Sequence, residues 1–162
     1  MALGGTCWND NVLLNYDVYN QLVLTTVIRN SLSESILLDN ARIDQFRIKG
    51  RLYVTVKKHA SLSDGIYQLL YDKPQAKLYL SIKKVLVGNT GRPGEPLRKF
   101  LKQETFYLVL DNQKSYTVKK KKDLLKIFEH RPEIQKYIRT SRLRFKNSNQ
   151  ITISLLKVLD QL

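Results

Sequence analysis

The side chains that could perform catalysis or bind a metal ion are few in this chain of 162 residues. It has one cysteine, Cys7, and two histidines, His59 and His130. One cysteine cannot form an internal disulfide, and a structural zinc site usually needs three or four ligands drawn mainly from cysteine. Both histidines stand beside basic residues, so we expect them to be exposed rather than placed as general bases. Cys7 is a weak candidate for a nucleophile because it lies near a chain end. The sequence predicts no metal site and no cofactor.

Carboxylate pairs are the remaining candidates for acid–base chemistry. Asp39 with Asp44, or Asp64 with Asp72, would have to meet across neighbouring strands to share such a task. The chain also has no Gly-x-Ser-x-Gly motif, the turn that presents a nucleophilic serine in many hydrolases. These observations predict that the protein is not an enzyme.

The segment Gly88–Pro96 has the spaced glycines of a phosphate-binding loop and contains Arg92. It lacks the Gly-Lys-Ser/Thr ending of such a loop and the glycine spacing of a dinucleotide-binding turn. Its three glycines and two prolines interrupt regular structure. They predict a long mobile loop that serves as a surface linker or contacts a partner.

The charge of the chain is concentrated in one segment. The whole sequence has 28 Lys and Arg against 14 Asp and Glu, a net charge of +14. Residues 1–82 contribute a net charge of +2, whereas residues 83–146 contain 18 basic and 6 acidic residues, a net of +12. Such asymmetry indicates a polyanionic partner: nucleic acid, an anionic membrane surface, or an acidic polymer or protein.

Nine basic residues are the candidate contacts to this partner. They are Lys119, Lys120, Lys121, Lys122, Arg139, Arg142, Arg144, Lys146 and Arg92. Four adjacent lysines repel one another unless they are solvated or bound to anions, so a solvated turn and an anion contact both fit the run. Tyr137 and Phe145 lie beside the arginines and could stack on nucleobases. Their spacing, shared with neighbouring apolar residues, favours packing in the core.

The periodicity of apolar residues changes along the chain. Alternating apolar residues predict strands over most of the first 120 residues, at 12–18, 22–28, 35–38, 43–48, 51–57, 66–71, 76–83, 106–110 and 115–118. Residues 29–34 read as a polar loop. From Lys121 the spacing becomes helical, with Asp123 near the start of one helix, Pro132 first in a second and Asn147 capping a third.

These elements predict a β-dominated α+β fold. We expect an antiparallel meander, forming a curved sheet or sandwich, capped by two or three short C-terminal helices. Residues 1–120 would form the β region with its mobile loop at 88–96, and residues 121–162 a basic helical tail packed on it. The whole chain is expected to be one domain. No apolar stretch reaches the roughly 18 residues that span a bilayer, so no transmembrane segment is predicted.

Three segments near the C-terminus carry a resemblance to a known family. They are residues 114–128 (KSYTVKKKKDLLKIF), 133–138 (EIQKYI) and 143–146 (LRFK). They resemble a tail that recurs in uncharacterised exported proteins of Bacteroidota. Residues 14–19 (LNYDVY) and 65–70 (GIYQLL) resemble strands of the same proteins. The family brings no assigned activity, but the resemblance implies a periplasmic or outer-membrane-associated protein whose export signal was removed before residue 1.

Charge and resemblance together predict a non-catalytic binding or assembly component of a bacterial cell envelope. Its basic C-terminal half would contact an anionic envelope component or a protein complex. A cytoplasmic nucleic-acid-binding module is the alternative, although no RNP-like, helix-turn-helix or zinc-finger pattern is present. An enzyme ranks last.

Overall fold

A computed structural model describes residues 2–3, 12–88, 98–111 and 114–162. In this part of the chain the strands are β1 (Ala2–Leu3), β2 (Leu14–Asp17), β3 (Leu22–Arg29), β4 (Leu32–Leu37), β5 (Ile43–Ile48), β6 (Arg51–Val56), β7 (Gly65–Lys73), β8 (Ala76–Gly88), β9 (Arg98–Leu110) and β10 (Lys114–Val118). The α-helices are α1 (Lys121–Ile127), α2 (Pro132–Thr140) and α3 (Ser148–Leu159). A short 3-10 turn spans Asn40–Arg42.

The strands form two sheets, and the three helices follow them at the C-terminus. The smaller sheet has the order β2-β3-β4, and the larger has the order β1-β5-β6-β7-β8-β9-β10. Six pairs of neighbouring strands are antiparallel: β1 with β5, β2 with β3, β3 with β4, β5 with β6, β6 with β7, and β9 with β10. The predicted β-dominated α+β class is therefore confirmed. The predicted mobile loop at 88–96 lies, apart from Gly88, outside the described residues, as do Arg92 and Cys7.

The chain divides into two compact units. Unit 1 contains residues 1–58, 63–68 and 81–103, and unit 2 contains residues 59–62, 69–80 and 104–162. Strands β7, β8 and β9 contribute residues to both. The organisation as a single domain stays a prediction.

The core of unit 1 is built around aromatic rings. Phe46 and Tyr53 are cross-strand partners on β5 and β6, and their rings stack with centroids 5.1 Å apart. Tyr16 of β2 meets both rings at an angle, with centroids 5.8 Å from Phe46 and 5.5 Å from Tyr53. Val23, Ile43 and Ile66 complete the buried cluster. These contacts bury the alternate residues that the period-two pattern assigns to one face.

The core of unit 2 gathers the apolar face of each helix. Its fully buried helical side chains are Leu124, Ile134, Ile138, Leu155, Val158 and Leu159, together with Phe128 just after α1. The Tyr71 hydroxyl of β7 donates a hydrogen bond to the carbonyl oxygen of Leu159 at 3.0 Å, which fixes the end of α3. Short helices such as these gain most of their stability from this burial.

The predicted helix starts are confirmed. The Asp123 carboxylate accepts hydrogen bonds from the backbone amides of Lys119 and Lys120 at 2.9 and 3.0 Å. Pro132 is the first residue of α2. The Asn147 side chain accepts from the Gln150 amide at 3.0 Å and caps α3. Asp123 and Asn147 accept hydrogen bonds from N–H groups that a helix start would leave without a partner, and Pro132 has no such N–H group.

Two predictions of strand position are wrong. Residues 29–34, expected as a polar loop, contain only a two-residue turn at Asn30 and Ser31, and β4 already begins at Leu32. Strand β9 begins at Arg98, well before the predicted start at 106. All six residues of β4 and the first six of β9 are exposed. The second half of β4 overlaps the strand predicted at 35–38. A segment with no buried face gives no clear alternation of apolar and polar residues, so the pattern could not reveal the first half of β4 or the first half of β9.

Candidate anion-binding surface

Eight of the nine predicted contacts belong to unit 2, and the ninth, Arg92, lies outside the described residues. They occupy two stretches of chain, the junction between β10 and α1 and the segment from the end of α2 to the start of α3. Residues 114–162 contain 13 Lys and Arg against 4 Asp and Glu, a net charge of +9. The positive potential of unit 2 is thus a property of its helical part.

The four lysines at the start of α1 do not share one role. Lys119, Lys120 and Lys122 are exposed. Lys121 turns inward instead, and its Nζ donates hydrogen bonds to the carbonyl oxygens of Arg139 at 3.2 Å and Ser141 at 3.3 Å. A cation in this position satisfies the last carbonyls of α2 and complements the negative end of the helix dipole. Lys121 therefore stabilises the fold, and the other three remain available to solvent.

The segment between α2 and α3 presents a row of cations. Arg142, Arg144 and Lys146 are exposed, whereas the intervening Leu143 and Phe145 are partly buried. In an extended chain successive side chains point to opposite sides, so the three charges line one side and the apolar residues pack on the other. Phe145 is only partly buried, so its packing in the core stays a prediction.

A single buried serine of α3 holds this segment in place. The Arg144 amide donates to Ser154 Oγ, and Ser154 Oγ donates to the Arg144 carbonyl oxygen, both at 2.9 Å. Only 4% of Ser154 is exposed. Because both backbone groups of Arg144 are bonded to one side chain, the extended segment has a fixed register against α3.

The segment and α3 enclose a groove of about 320 Å³. Arg142, Arg144 and Lys157 line it together with Gln150, Ile153 and Ser154. No acidic side chain lines it in the part of the chain that the structure describes. Sequence reasoning missed Lys157 because residues 147–162 are charge-balanced, although Lys157 lies one helical turn from Ile153 and Ser154 and so on the same face of α3.

We define the basic surface as the exposed cations of the two stretches, together with Lys157 of the groove. They are Lys119, Lys120, Lys122, Arg139, Arg142, Arg144, Lys146 and Lys157. The described residues form ion pairs between Lys57 and Asp44, Lys77 and Asp72, and His130 and Glu129. None of the eight forms an ion pair with any described residue. Asp123, next to Lys122 in sequence, accepts hydrogen bonds from the backbone amides of Lys119 and Lys120.

The candidate catalytic groups do not converge. The His130 side chain is 91% exposed, and His59 accepts a hydrogen bond from the Ser61 amide at 3.2 Å. Each of the four carboxylates has a separate partner: Asp39 the Ala41 amide, Asp44 Lys57, Asp64 the Lys58 amide, and Asp72 Lys77. The two carboxylates of each pair therefore have different partners among the described residues. No described helix is long and apolar enough to span a bilayer.

The basic surface has the side-chain chemistry of an anion-binding site. Arginine and lysine side chains supply positive charge and N–H donors, and the guanidinium fork matches the oxygens of carboxylate or phosphate. Among the described residues, no group of three or more His, Cys, Asp or Glu side chains could hold a metal ion. No protein-family model, curated protein or solved structure matches the chain.

Proposed function

We propose that this protein is a non-catalytic binding or assembly component of a bacterial cell envelope, which contacts an anionic partner through its basic surface. One observation carries the proposal: eight exposed cations of unit 2 form no ion pair with any described residue. No carboxylate of a described residue pairs with them to balance their mutual repulsion. A partner with closely spaced negative charges would balance it better.

The partner must offer many negative charges at once. A single exposed ion pair contributes only about 0–1 kcal/mol, so a small monovalent anion would bind this surface weakly. A polymer or a membrane surface engages several cations together. For a cation held near an anionic lipid surface the contribution is about 1 kcal/mol per Lys or Arg. Eight such residues make an anionic envelope surface a suitable partner.

Vesicles test the class of partner. We expect the full chain to co-sediment with phosphatidylglycerol vesicles at low salt, to be released as the salt concentration rises, and not to bind phosphatidylcholine vesicles. Gel-shift titrations with random DNA and RNA at two salt concentrations provide the comparison. Tighter binding to nucleic acid than to the anionic vesicles would favour the alternative, a nucleic-acid-binding module.

The envelope location depends on the resemblance of the C-terminal segments to exported proteins. Fractionation of the native cell tests it separately from the binding chemistry. We expect the protein in the periplasmic or outer-membrane fraction. Recovery in the cytoplasmic fraction alone would contradict this part of the proposal and leave the vesicle experiment unaffected.

A further inference from the structure

Unit 1 contains a cleft that includes no residue of the basic surface. Its volume is about 490 Å³, within the range of small-molecule sites. Tyr16 and Tyr53 line it with aliphatic side chains of β2 and β5, and Asn15, Lys49 and Arg51 add polar groups. No carboxylate lines the cleft among the described residues. It is therefore an apolar cleft with positive charge.

The hairpin of β5 and β6 determines which side chains line the cleft. Ile48 pairs with Arg51 and Phe46 with Tyr53, so Arg51 lies on the same face of the hairpin as the aromatic core. Arg47, paired with Leu52, belongs to the opposite face and is exposed. Two cations of similar sequence position thus have different surroundings, because side chains alternate along a strand.

The Tyr53 hydroxyl is the unused donor of this cleft. Tyr53 is only 9% exposed, and its hydroxyl has no hydrogen-bond partner in the described part of the chain. The Tyr16 hydroxyl, in contrast, donates to Gln21 Oε1 at 2.7 Å. Gln21 is fixed in turn by hydrogen bonds from its Nε2 to the carbonyl oxygens of Val18 at 2.6 Å and Ile82 at 3.2 Å. The Tyr53 hydroxyl is not among the buried polar atoms that lack a partner, so it reaches the solvent of the cleft, where a bound acceptor would replace water as its partner.

The nearest acidic residue in sequence does not neutralise the cleft. Asp17 follows Tyr16, but its carboxylate accepts hydrogen bonds from the Tyr19 amide at 2.9 Å and from the Asn20 side chain at 2.7 Å. The bond from the Asn20 side chain lowers the pKa of the Asp17 carboxyl, so this charge stays in the turn after β2. The two cations of the cleft are left without an acidic neighbour there.

We propose that this cleft binds a small aromatic carboxylate. The ring would pack against the cleft-facing sides of Tyr16 and Tyr53 and against the aliphatic wall, where aromatic contacts at an angle or in offset stacks are favourable. The carboxylate would lie against the guanidinium of Arg51, with Lys49 beside it, and accept a hydrogen bond from the Tyr53 hydroxyl. The ligand would supply the one kind of group that the cleft lacks, a negatively charged acceptor.

Isothermal titration of the full chain with 2-naphthoate tests the proposal. The neutral 2-naphthamide has the same ring and nearly the same size, so it measures the contribution of the charge without any mutation. We expect 2-naphthoate to bind at least tenfold more tightly than 2-naphthamide. Equal affinities, or no binding of naphthoate at millimolar concentration, would overturn the proposal.

Matched variants locate the site. Arg51→Gln and Tyr53→Phe should each weaken naphthoate binding about tenfold, as expected for the loss of a hydrogen bond to a charged group. Arg47→Gln removes the same charge from the opposite face of the hairpin and should change the affinity less than twofold. If Arg47→Gln weakens binding as much as Arg51→Gln, the cleft is not the site. Substitutions in the basic surface should leave naphthoate binding unchanged, so the two proposals fail independently.

Discussion

The hydrogen bonds between Ser154 and Arg144 lead to a quantitative prediction about unit 2. In the Ser154→Ala variant, the amide and the carbonyl oxygen of Arg144 both lose their partner, each bond being 2.9 Å long in the parent. A hydrogen bond of this kind contributes about 0.5–1.5 kcal/mol net. Arg144 is exposed, so its backbone groups can regain water, which favours the lower part of the range. We therefore expect the variant to lose about 1–2 kcal/mol of unfolding free energy.

Equilibrium urea unfolding measures this loss. For a slope of about 2 kcal/mol per molar urea, the midpoint of Ser154→Ala should fall by about 0.5–1 M. Thr140→Ala is the matched control because Thr140 Oγ1 also donates to backbone carbonyl oxygens, those of Lys136 at 2.9 Å and Tyr137 at 3.3 Å. Thr140 is exposed in a helix, where alanine is intrinsically favoured, so its replacement should change stability by less than about 0.5 kcal/mol. Equal midpoints for Ser154→Ala and the parent would refute the view that Ser154 holds the arginine segment on α3.

Two further predictions test the cores of the units. Ile138→Ala removes a fully buried side chain of α2 and should lower the free energy of unfolding by about 2–5 kcal/mol. The control Ile153→Ala changes a side chain that is 55% exposed and should lower it by less than about 1 kcal/mol. Similar losses of the two variants in urea unfolding would contradict the packing of α2. In unit 1, burial raises the pKa of the Tyr16 phenol above its ordinary value of 10.0, so above that pH the unfolded chain releases a proton that the folded chain keeps, and stability falls. As the pH rises from about 9 to 11, the stability of Tyr16→Phe should therefore fall less than that of the parent. Parallel profiles of stability against pH for the two proteins would show that Tyr16 is not responsible.

The elements that could be predicted from sequence are those with a local signal. Alternation identified β5 and β6 because Phe46 and Tyr53 must point into the core while their neighbours do not. Asp123, Pro132 and Asn147 marked helix starts because such groups satisfy or avoid free N–H donors there. The first half of β4 and the first half of β9 had no such signal, since backbone pairing forms them without burying a face.

The functional surfaces depend on contacts between residues distant in sequence. The basic run was visible, but the separate role of Lys121 appears only when its Nζ reaches the carbonyl oxygens of Arg139 and Ser141 at the end of α2. The groove could not be predicted, because it needs Ser154 to bind the backbone of Arg144 and so bring Lys157 beside it. The cleft of unit 1 likewise depends on the register of one hairpin.

The central claim is that the basic surface, rather than the net charge of the chain, binds an anionic partner. The most direct test compares two variants of equal net charge in their affinity for phosphatidylglycerol vesicles. One carries Arg142→Gln, Arg144→Gln and Lys146→Gln, and the other carries Arg42→Gln, Arg47→Gln and Lys58→Gln, three exposed cations of unit 1.

At about 1 kcal/mol per cation, the first variant should bind about 100-fold more weakly than the parent at low salt, and the second should stay within about threefold of it. An equal loss in both variants, or parent binding that does not respond to salt, would contradict the claim.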